Sequence, residues 1–229
     1  MIEKRAVVAC IVTHNSSADI AHCLQAVAAT TYRPLRIVVA DCASSDDSVA
    51  IAEQHAPAGL ESELIPLDAN VGFAGGMNVA IGRSDAPYVL SLNPDARPAS
   101  DFVTRLVESL EVHPDQRIGA VTGRLLRPEG QGPRQLDACG MYLTPTWRHL
   151  DRGSGMVDRG QWTAREQVFG ATAAATLFTR EALNDAAIEG DFFASEFHSY
   201  REDAELCFRL RERGWAVVYE PRAICEHRR

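Results

Sequence analysis

The residues equipped for chemistry in this chain are carboxylates and amides placed just beyond apolar runs. Tyr88-Val89-Leu90 leads through Ser91-Leu92 into Asn93-Pro94-Asp95. A carboxylate at such a strand end can hold a divalent cation against a diphosphate, because hard cations take oxygen ligands. The same tripeptide also makes a turn whose side chains only cap the next helix, so by itself it does not choose. Thr13 and Asn15 follow one apolar run, Ala6–Val12, and Asp41 follows another, Leu35–Ala40. Late in the chain Glu202 and Asp203 stand side by side. A carboxylate raised toward neutrality by its surroundings is a competent general base. An acidic first turn facing Arg209, Arg211 and Arg213 is equally the pattern of a surface helix. His227 is either a further metal ligand or an exposed histidine near the end of the sequence.

These positions depend on a regular alternation of elements. Ala6–Val12 is continuously apolar, as in a strand buried on both faces. Ser16 or Ser17 can cap a helix that carries Ile20, Cys23, Leu24 and Val27 on one side. Pro34 breaks the chain, a second buried strand runs to Asp41, and the polar run Ser44–Ser48 opens another helix. A third strand, Glu63–Leu67, leads to Asn70-Val71-Gly72-Phe73-Ala74-Gly75-Gly76-Met77-Asn78. Three glycines ahead of an Ala-rich helix let backbone N–H groups approach a ligand, or simply make a tight turn. Their spacing is not G-x-G-x-x-G and no Gly-Lys-Ser/Thr follows, which excludes a dinucleotide fingerprint and a P-loop.

Beyond Asp95, Ser100 or Asp101 caps a helix with Phe102, Val103, Leu106, Val107 and Leu110 inside, and Ile118–Thr122 is a strand. Residues 126–167 lose periodicity and gain Gly, Pro and Arg, so short strands and recognition loops are expected there. A strand over Phe169–Phe178, entered through Gly170, precedes a short helix. A helix over Glu202–Arg213 is ended by Gly214, and Trp215–Tyr219 is the last strand. The alternation predicts an α/β fold with a mostly parallel sheet flanked by helices and a small antiparallel portion. One continuous domain is expected over 1–229.

A net charge of -8 speaks against nucleic-acid binding, which uses a basic face. Lys4 is the only lysine, so phosphate recognition falls to Arg, backbone N–H groups or a metal. Six scattered cysteines lack the close pairs of a zinc or dithiol site and read as buried thiols. The start, Glu3-Lys4-Arg5 before a short apolar run, does not resemble a signal peptide. No stretch has the length of a membrane span, which implies a cytoplasmic protein, at most peripheral to a membrane.

Taken in order, Val12-Thr13-His14-Asn15, Val39-Ala40-Asp41 with Ser44-Ser45-Asp46, the glycine segment, Leu92-Asn93-Pro94-Asp95, Gly170–Arg180, Glu202-Asp203 and His227 resemble the family 2 inverting glycosyltransferases of the GT-A fold, nearest to their rhamnosyltransferase-like branch. The resemblance covers nearly the whole chain. It implies a nucleotide-sugar-binding half, 1–98, and an acceptor-binding and catalytic half, 99–229. Thr13, Asn15 and Asp41 match donor-contacting positions. Asn70, Gly72, Phe73, Gly75, Gly76 and Asn78 match the segment lining the donor site. Asn93 stands where the first Asp of a D-x-D-like motif would be. Asp95 matches its last carboxylate, which binds the diphosphate through Mg2+ or Mn2+, with His227 as a further ligand. Asp203 matches the catalytic base, and Glu202 a residue that positions the acceptor.

The implied activity is sugar transfer from a dTDP-, UDP- or GDP-linked donor to a saccharide or lipid-linked acceptor, in envelope or surface-polysaccharide synthesis. Arg124, Arg127, Trp147, Arg148, Arg152 and Trp162 are candidate acceptor contacts, though each is individually as well suited to a structural role. Cys42 and Asp47 depart from the family pattern, where Asn and Gly are usual. Relatives usually continue beyond the late His, which leaves open a compact member, a shortened chain or one completed by a partner. A nucleotidyltransferase would carry a Gly-rich basic loop directly after the first strand, where Thr13-His14-Asn15 stands. A noncatalytic nucleotide-sugar-binding module would keep Asp41 and Asp95 without needing a base. Oligomeric state is not set by the sequence.

Overall fold

The computed structural model describes residues 5–113 and 115–229. Glu3 and Lys4, part of the start weighed against a signal peptide, lie outside them. The apolar runs form the middle of one sheet. In chain order the elements are β1 (Val7–Thr13), α1 (Ile20–Ala28), β2 (Leu35–Asp41), α2 (Ser48–Gln54), β3 (Glu61–Pro66), α3 (Gly72–Gly82), β4 (Tyr88–Leu92), β5 (Ala96–Pro98), α4 (Phe102–Glu111) and β6 (Ile118–Leu126). Then come β7 (Leu136–Ala138), β8 (Met141–Leu143), β9 (His149–Asp151), β10 (Glu166–Val168), β11 (Ala175–Thr179), α5 (Arg180–Ala186), α6 (Glu202–Glu212) and β12 (Ala216–His227).

Along the sheet the order is β10-β12-β6-β11-β4-β1-β2-β3, with β5 beside β12 and β7 beside β6. Strands β3, β2, β1 and β4 are mutually parallel, β11 runs against both β4 and β6, and β12 is parallel to β6. The hairpin β8–β9 stands apart as the small antiparallel piece.

Alternation along β1 explains its unbroken hydrophobicity. Val7, Ala9 and Ile11 pack with Cys23 and Leu24 of α1 and Phe102 and Leu106 of α4. Val8, Cys10 and Val12 pack on the other face with Met77 and Ile81 of α3 and Leu206 and Leu210 of α6. A strand covered on both faces has no solvent side to keep polar. All six cysteines are free and buried. Among the described residues no helix is long and apolar enough to cross a membrane.

Several local expectations are corrected. Helix α1 begins at Ile20, because the Ser16 carbonyl first accepts the Asp19 and Ile20 N–H groups in a turn, and no side chain caps it. Helix α2 begins at Ser48, whose N–H donates to the Asp46 carboxylate. The glycines do not form a loop ahead of α3 but its first turns. Of the expected 169–178 strand only residues 175–178 lie in the sheet strand, which runs on to Thr179. Strand β12 is far longer than Trp215–Tyr219. Its pairing with β6 is interrupted between Tyr219 and Ile224, where Pro221 lacks an N–H to donate, and then resumes to His227.

Candidate active site

Two cavities open beyond the carboxyl ends of β1, β2 and β4, where ligands of open α/β sheets bind. The first, about 370 Å3, is lined by residues that include His14, Asn15, Asp19, Cys42, Asn70, Gly72, Phe73, Asn93 and Asp95. The second, about 930 Å3, shares Phe73, Asn93, Asp95 and Ser199 with it and extends to Glu202, Asp203 and His227. Strand ends early in the chain and the start of α6 therefore face one continuous cleft.

At the junction, His227 is 4% exposed and bridges two carboxylates. Its Nδ1 lies 2.7 Å from Asp137 and its Nε2 3.3 Å from Asp95. Asn93 Nδ2 lies 3.3 Å from the same Nε2. Burial alone would lower the His227 pKa, but the hydrogen bonds and charges of Asp137 and Asp95 raise it to about 9. Burial opposes ionisation of Asp95, and His227 outweighs it, holding that carboxyl below its ordinary range. Asp137 is wholly buried on β7 and also ion-pairs with Arg127 and Arg229. The reading of His227 as an exposed terminal residue is thus corrected: the resumed pairing of β12 carries it inside.

This donor set fits a divalent cation. Asp95 offers carboxylate oxygen, and His227 would offer Nε2 once the ion displaces the proton that its raised pKa keeps on the ring, while Asp137 fixes the ring through Nδ1, the usual outer support of a ligating imidazole. Among the described residues no group of three or more His, Cys, Asp or Glu side chains is arranged for a metal. Remaining positions would fall to diphosphate oxygens and water, as Mg2+ sites at substrate phosphates commonly arrange.

Across the cleft, α6 starts abruptly. Arg201 holds the left-handed conformation, φ 76°, and no side chain caps the helix. The Asp203 carboxylate accepts the N–H of Ala173, in the segment before β11, at 3.3 Å and that of Ala204 at 2.7 Å. Burial raises its pKa. Glu202 is raised to about 7 by burial and then by the neighbouring Asp203 charge, and its Oε2 is buried without a hydrogen-bond partner. Neither acid pairs with the arginines of α6. Arg209 is taken by Glu205 and by the carbonyls of Ala186 and Phe192, so the solvated-helix alternative does not describe this end.

The other expected donor residues divide. Asn15, Asn70, Gly72, Phe73 and Asn93 line the first cavity, whereas Thr13, Asp41, Gly75, Gly76 and Asn78 line neither. Asp41 is buried and accepts the Ser44 N–H and hydroxyl, and Asn15 accepts the Ser45 N–H, so both brace the loop after β2. The Thr13 hydroxyl is buried without a partner. A Cβ on Gly76 would meet Val12 and Cys42 within 3 Å, so that glycine serves close helix–sheet packing. Asn78 is engaged within the protein: its side-chain amide accepts the N–H groups of Phe192 and Phe193 and donates to the Phe193 carbonyl, clamping a loop.

Arg124 is paired with Asp158, Arg127 with Asp137, and Arg152 with Glu166. Arg152 also lies over the Trp162 and Tyr219 rings. These four candidates are structural, while Trp147 stands in solvent. Sequence reasoning missed Asp137 and Ser199. An acid between apolar Leu136 and Ala138 was the one available signal for Asp137.

Sheet, flanking helices and strand-end cleft define a GT-A architecture, and solved structures share it. S. aureus TarS in complex with UDP-GlcNAc superposes with a TM-score of 0.70 at 17% identity, over 98% of this chain and 58% of that one. A mannosyltransferase from Pyrobaculum calidifontis in complex with GDP-Man and Mn2+ superposes at 0.68 and 18% identity, over 99% of this chain and 57% of that one. The model of glycosyl transferase family 2 matches residues 8–185, and the chain belongs to that family. Its sequence is 25% identical to the N-acetylglucosaminyl-diphospho-decaprenol L-rhamnosyltransferase of Mycobacterium tuberculosis, over 94% of this chain and 74% of the relative.

Proposed function

We propose that this chain is a metal-dependent inverting glycosyltransferase, moving rhamnose or another hexose from a nucleoside diphosphate to a saccharide or lipid-linked saccharide in envelope or surface-polysaccharide synthesis. The observation that carries the reading is one cleft with Asp95 and His227 on one wall and a buried, raised-pKa Asp203 on the other. Residues 1–98 would supply most of the donor wall and residues 99–229 the acceptor wall and base. Donor assignment rests on likeness: one neighbour binds UDP-GlcNAc, another GDP-Man with Mn2+, and the named relative is a rhamnosyltransferase. A lipid-linked acceptor would bring the chain to a membrane surface.

In this reading Asp95 and His227 would hold Mg2+ or Mn2+ where it meets the donor diphosphate. The bound ion supplies a Lewis acid where negative charge grows as the sugar departs. Asn15, Asn70 and Phe73 shape the donor pocket, and Asn93 sits beside the His227 ring. Asp203 takes the proton of the acceptor hydroxyl as its oxygen attacks the anomeric carbon from the face opposite the diphosphate. Two backbone N–H groups keep that carboxylate aimed, and burial raises its basicity. Glu202, buried alongside, limits how much negative charge the pair carries at neutral pH.

Calorimetric titration with UDP, dTDP and GDP, each with Mn2+ and again with EDTA, tests the donor side. One nucleotide is expected to bind in a metal-dependent way. Folded protein that binds none would overturn the reading.

A further inference from the structure

We propose that a groove next to the catalytic cleft is a stacking subsite for an outer sugar ring of an oligosaccharide acceptor, set apart from the ring whose hydroxyl reacts. The proposal deepens the transferase reading and rests on it for the identity of the acceptor. The groove, about 610 Å3, is lined by Tyr142, Leu143, Trp147, Phe169, Phe208 and Arg211, with Glu212 at its edge. Trp147 is 72% exposed, and its ring meets Phe208 edge-on at 6.0 Å between centroids.

The turn between β8 and β9 is built to present that indole. Trp147 holds a left-handed backbone, φ 61°. Its N–H donates to the Thr144 carbonyl, Thr144 N–H donates to the Arg148 carbonyl, and Arg148 N–H donates to the Thr144 hydroxyl. Left-handed backbone at a bulky residue is uncommon and costs free energy, and the turn spends it on an aromatic face left in water. Nothing in the core is gained by this arrangement.

Two features connect the groove to the reaction. Tyr142 lines both it and the catalytic cavity. Helix α6 carries Asp203 at its start and Phe208 five residues on, about 8 Å farther along the axis and about 140° round it. That is the reach of a short oligosaccharide. The lining also selects the occupant. Aromatic faces with polar edges accept the C–H face of a pyranose while Arg211 and Glu212 stand within reach of its hydroxyls. A lipid tail laid in the same groove would cover Glu212, and the Arg211 donors left over from its hydrogen bond to the Val168 carbonyl, without pairing them, which is costly.

The test titrates the whole chain calorimetrically with β-linked oligosaccharides of N-acetylglucosamine, glucose, galactose and mannose, each as monosaccharide and tetrasaccharide. Nucleotide with Mn2+ is titrated in parallel. At least one tetrasaccharide should bind about tenfold tighter than its monosaccharide, a gain of the size expected for an added aromatic contact. Trp147→Ala and Phe208→Ala should each remove that gain, Trp147→Phe should keep most of it, and nucleotide affinity should not change in any of them. No preference for length, or a preference that survives both alanine variants, overturns the subsite. Farnesyl phosphate binding that is lost in the alanine variants, with no oligosaccharide preference, overturns it in favour of a lipid groove. Failure of the transferase reading shows separately, as absent nucleotide binding, because the length preference needs no transfer to be read.

Discussion

The two walls of the cleft are built by different means. Residues 1–98 position their polar groups by local rules: buried parallel strands end together, and the residues just past each end face the same opening. The opposite wall is assembled from distant pieces. Asp203 is oriented by the N–H of Ala173, and the segment 195–201 before it lies on the start of α3 through the His198 carbonyl and the Ser199 hydroxyl. His227 is the one tertiary addition to the first wall: it arrives at the end of β12 beside Asp95 and is fixed by Asp137 of β7. One wall is a consequence of topology, the other of tertiary contacts.

The largest expected effect separates the walls. Asp203→Asn should lower the transfer rate by about 10²–10⁴-fold while leaving metal-dependent nucleotide binding intact, and Asp95→Asn should remove that binding. Since the base must be ionised, kcat/KM should fall with acid through a midpoint above the ordinary Asp value of 3.8. An acid limb at or below 3.8 would falsify the buried base.

Glu202 gives a stability test of the same wall. Its folded pKa of about 7 exceeds the ordinary 4.5, so between those values the folded chain keeps a proton that the unfolded chain has released. Stability present below pH 4.5 should be lost as pH rises through 7, by up to about 3 kcal/mol. Urea midpoints across this window should show the decline, and Glu202→Gln should flatten it. An unchanged slope in that variant would mean that Glu202 is not the group responsible.

Asp137 tests whether the walls are independent. Asp137→Asn, at a residue that lines neither cavity, should weaken Mn2+-dependent nucleotide binding about 10–100-fold through His227, the usual cost of losing an outer partner of a metal ligand. Equal nucleotide affinity in variant and parent would sever the proposed link. The smallest effect belongs to Gly72, which has φ 73°. A Cβ there would lie 2.3 Å from the His198 carbonyl oxygen. Gly72→Ala should cost about 1–3 kcal/mol by strain and by pushing the 195–201 segment off α3. Thermal unfolding reads the loss, and proteolysis within 195–201 should quicken.

The legibility of the chain divides along the same line. Ala6–Val12 and Leu35–Ala40 are marked as strands by continuous hydrophobicity, and Asn93-Pro94-Asp95 as a strand end by its place after a third such run. The glycine segment misled, because closeness to a ligand and closeness of helix to sheet require the same absence of a side chain. At Gly76 the neighbours are Val12 and Cys42.

By itself the sequence determined the α/β alternation, the parallel core and the residues gathered beyond its strand ends, since periodicity and turn chemistry are local properties. Only the tertiary structure decided that β12 resumes past Pro221 to bury His227, that Asp137 supports it, and that an outward-turned Trp147 meets Phe208. Each of these joins segments far apart in the chain. Whether a polar side chain is a site or a solvated surface depends on what folds over it, and spacing along the sequence does not carry that information.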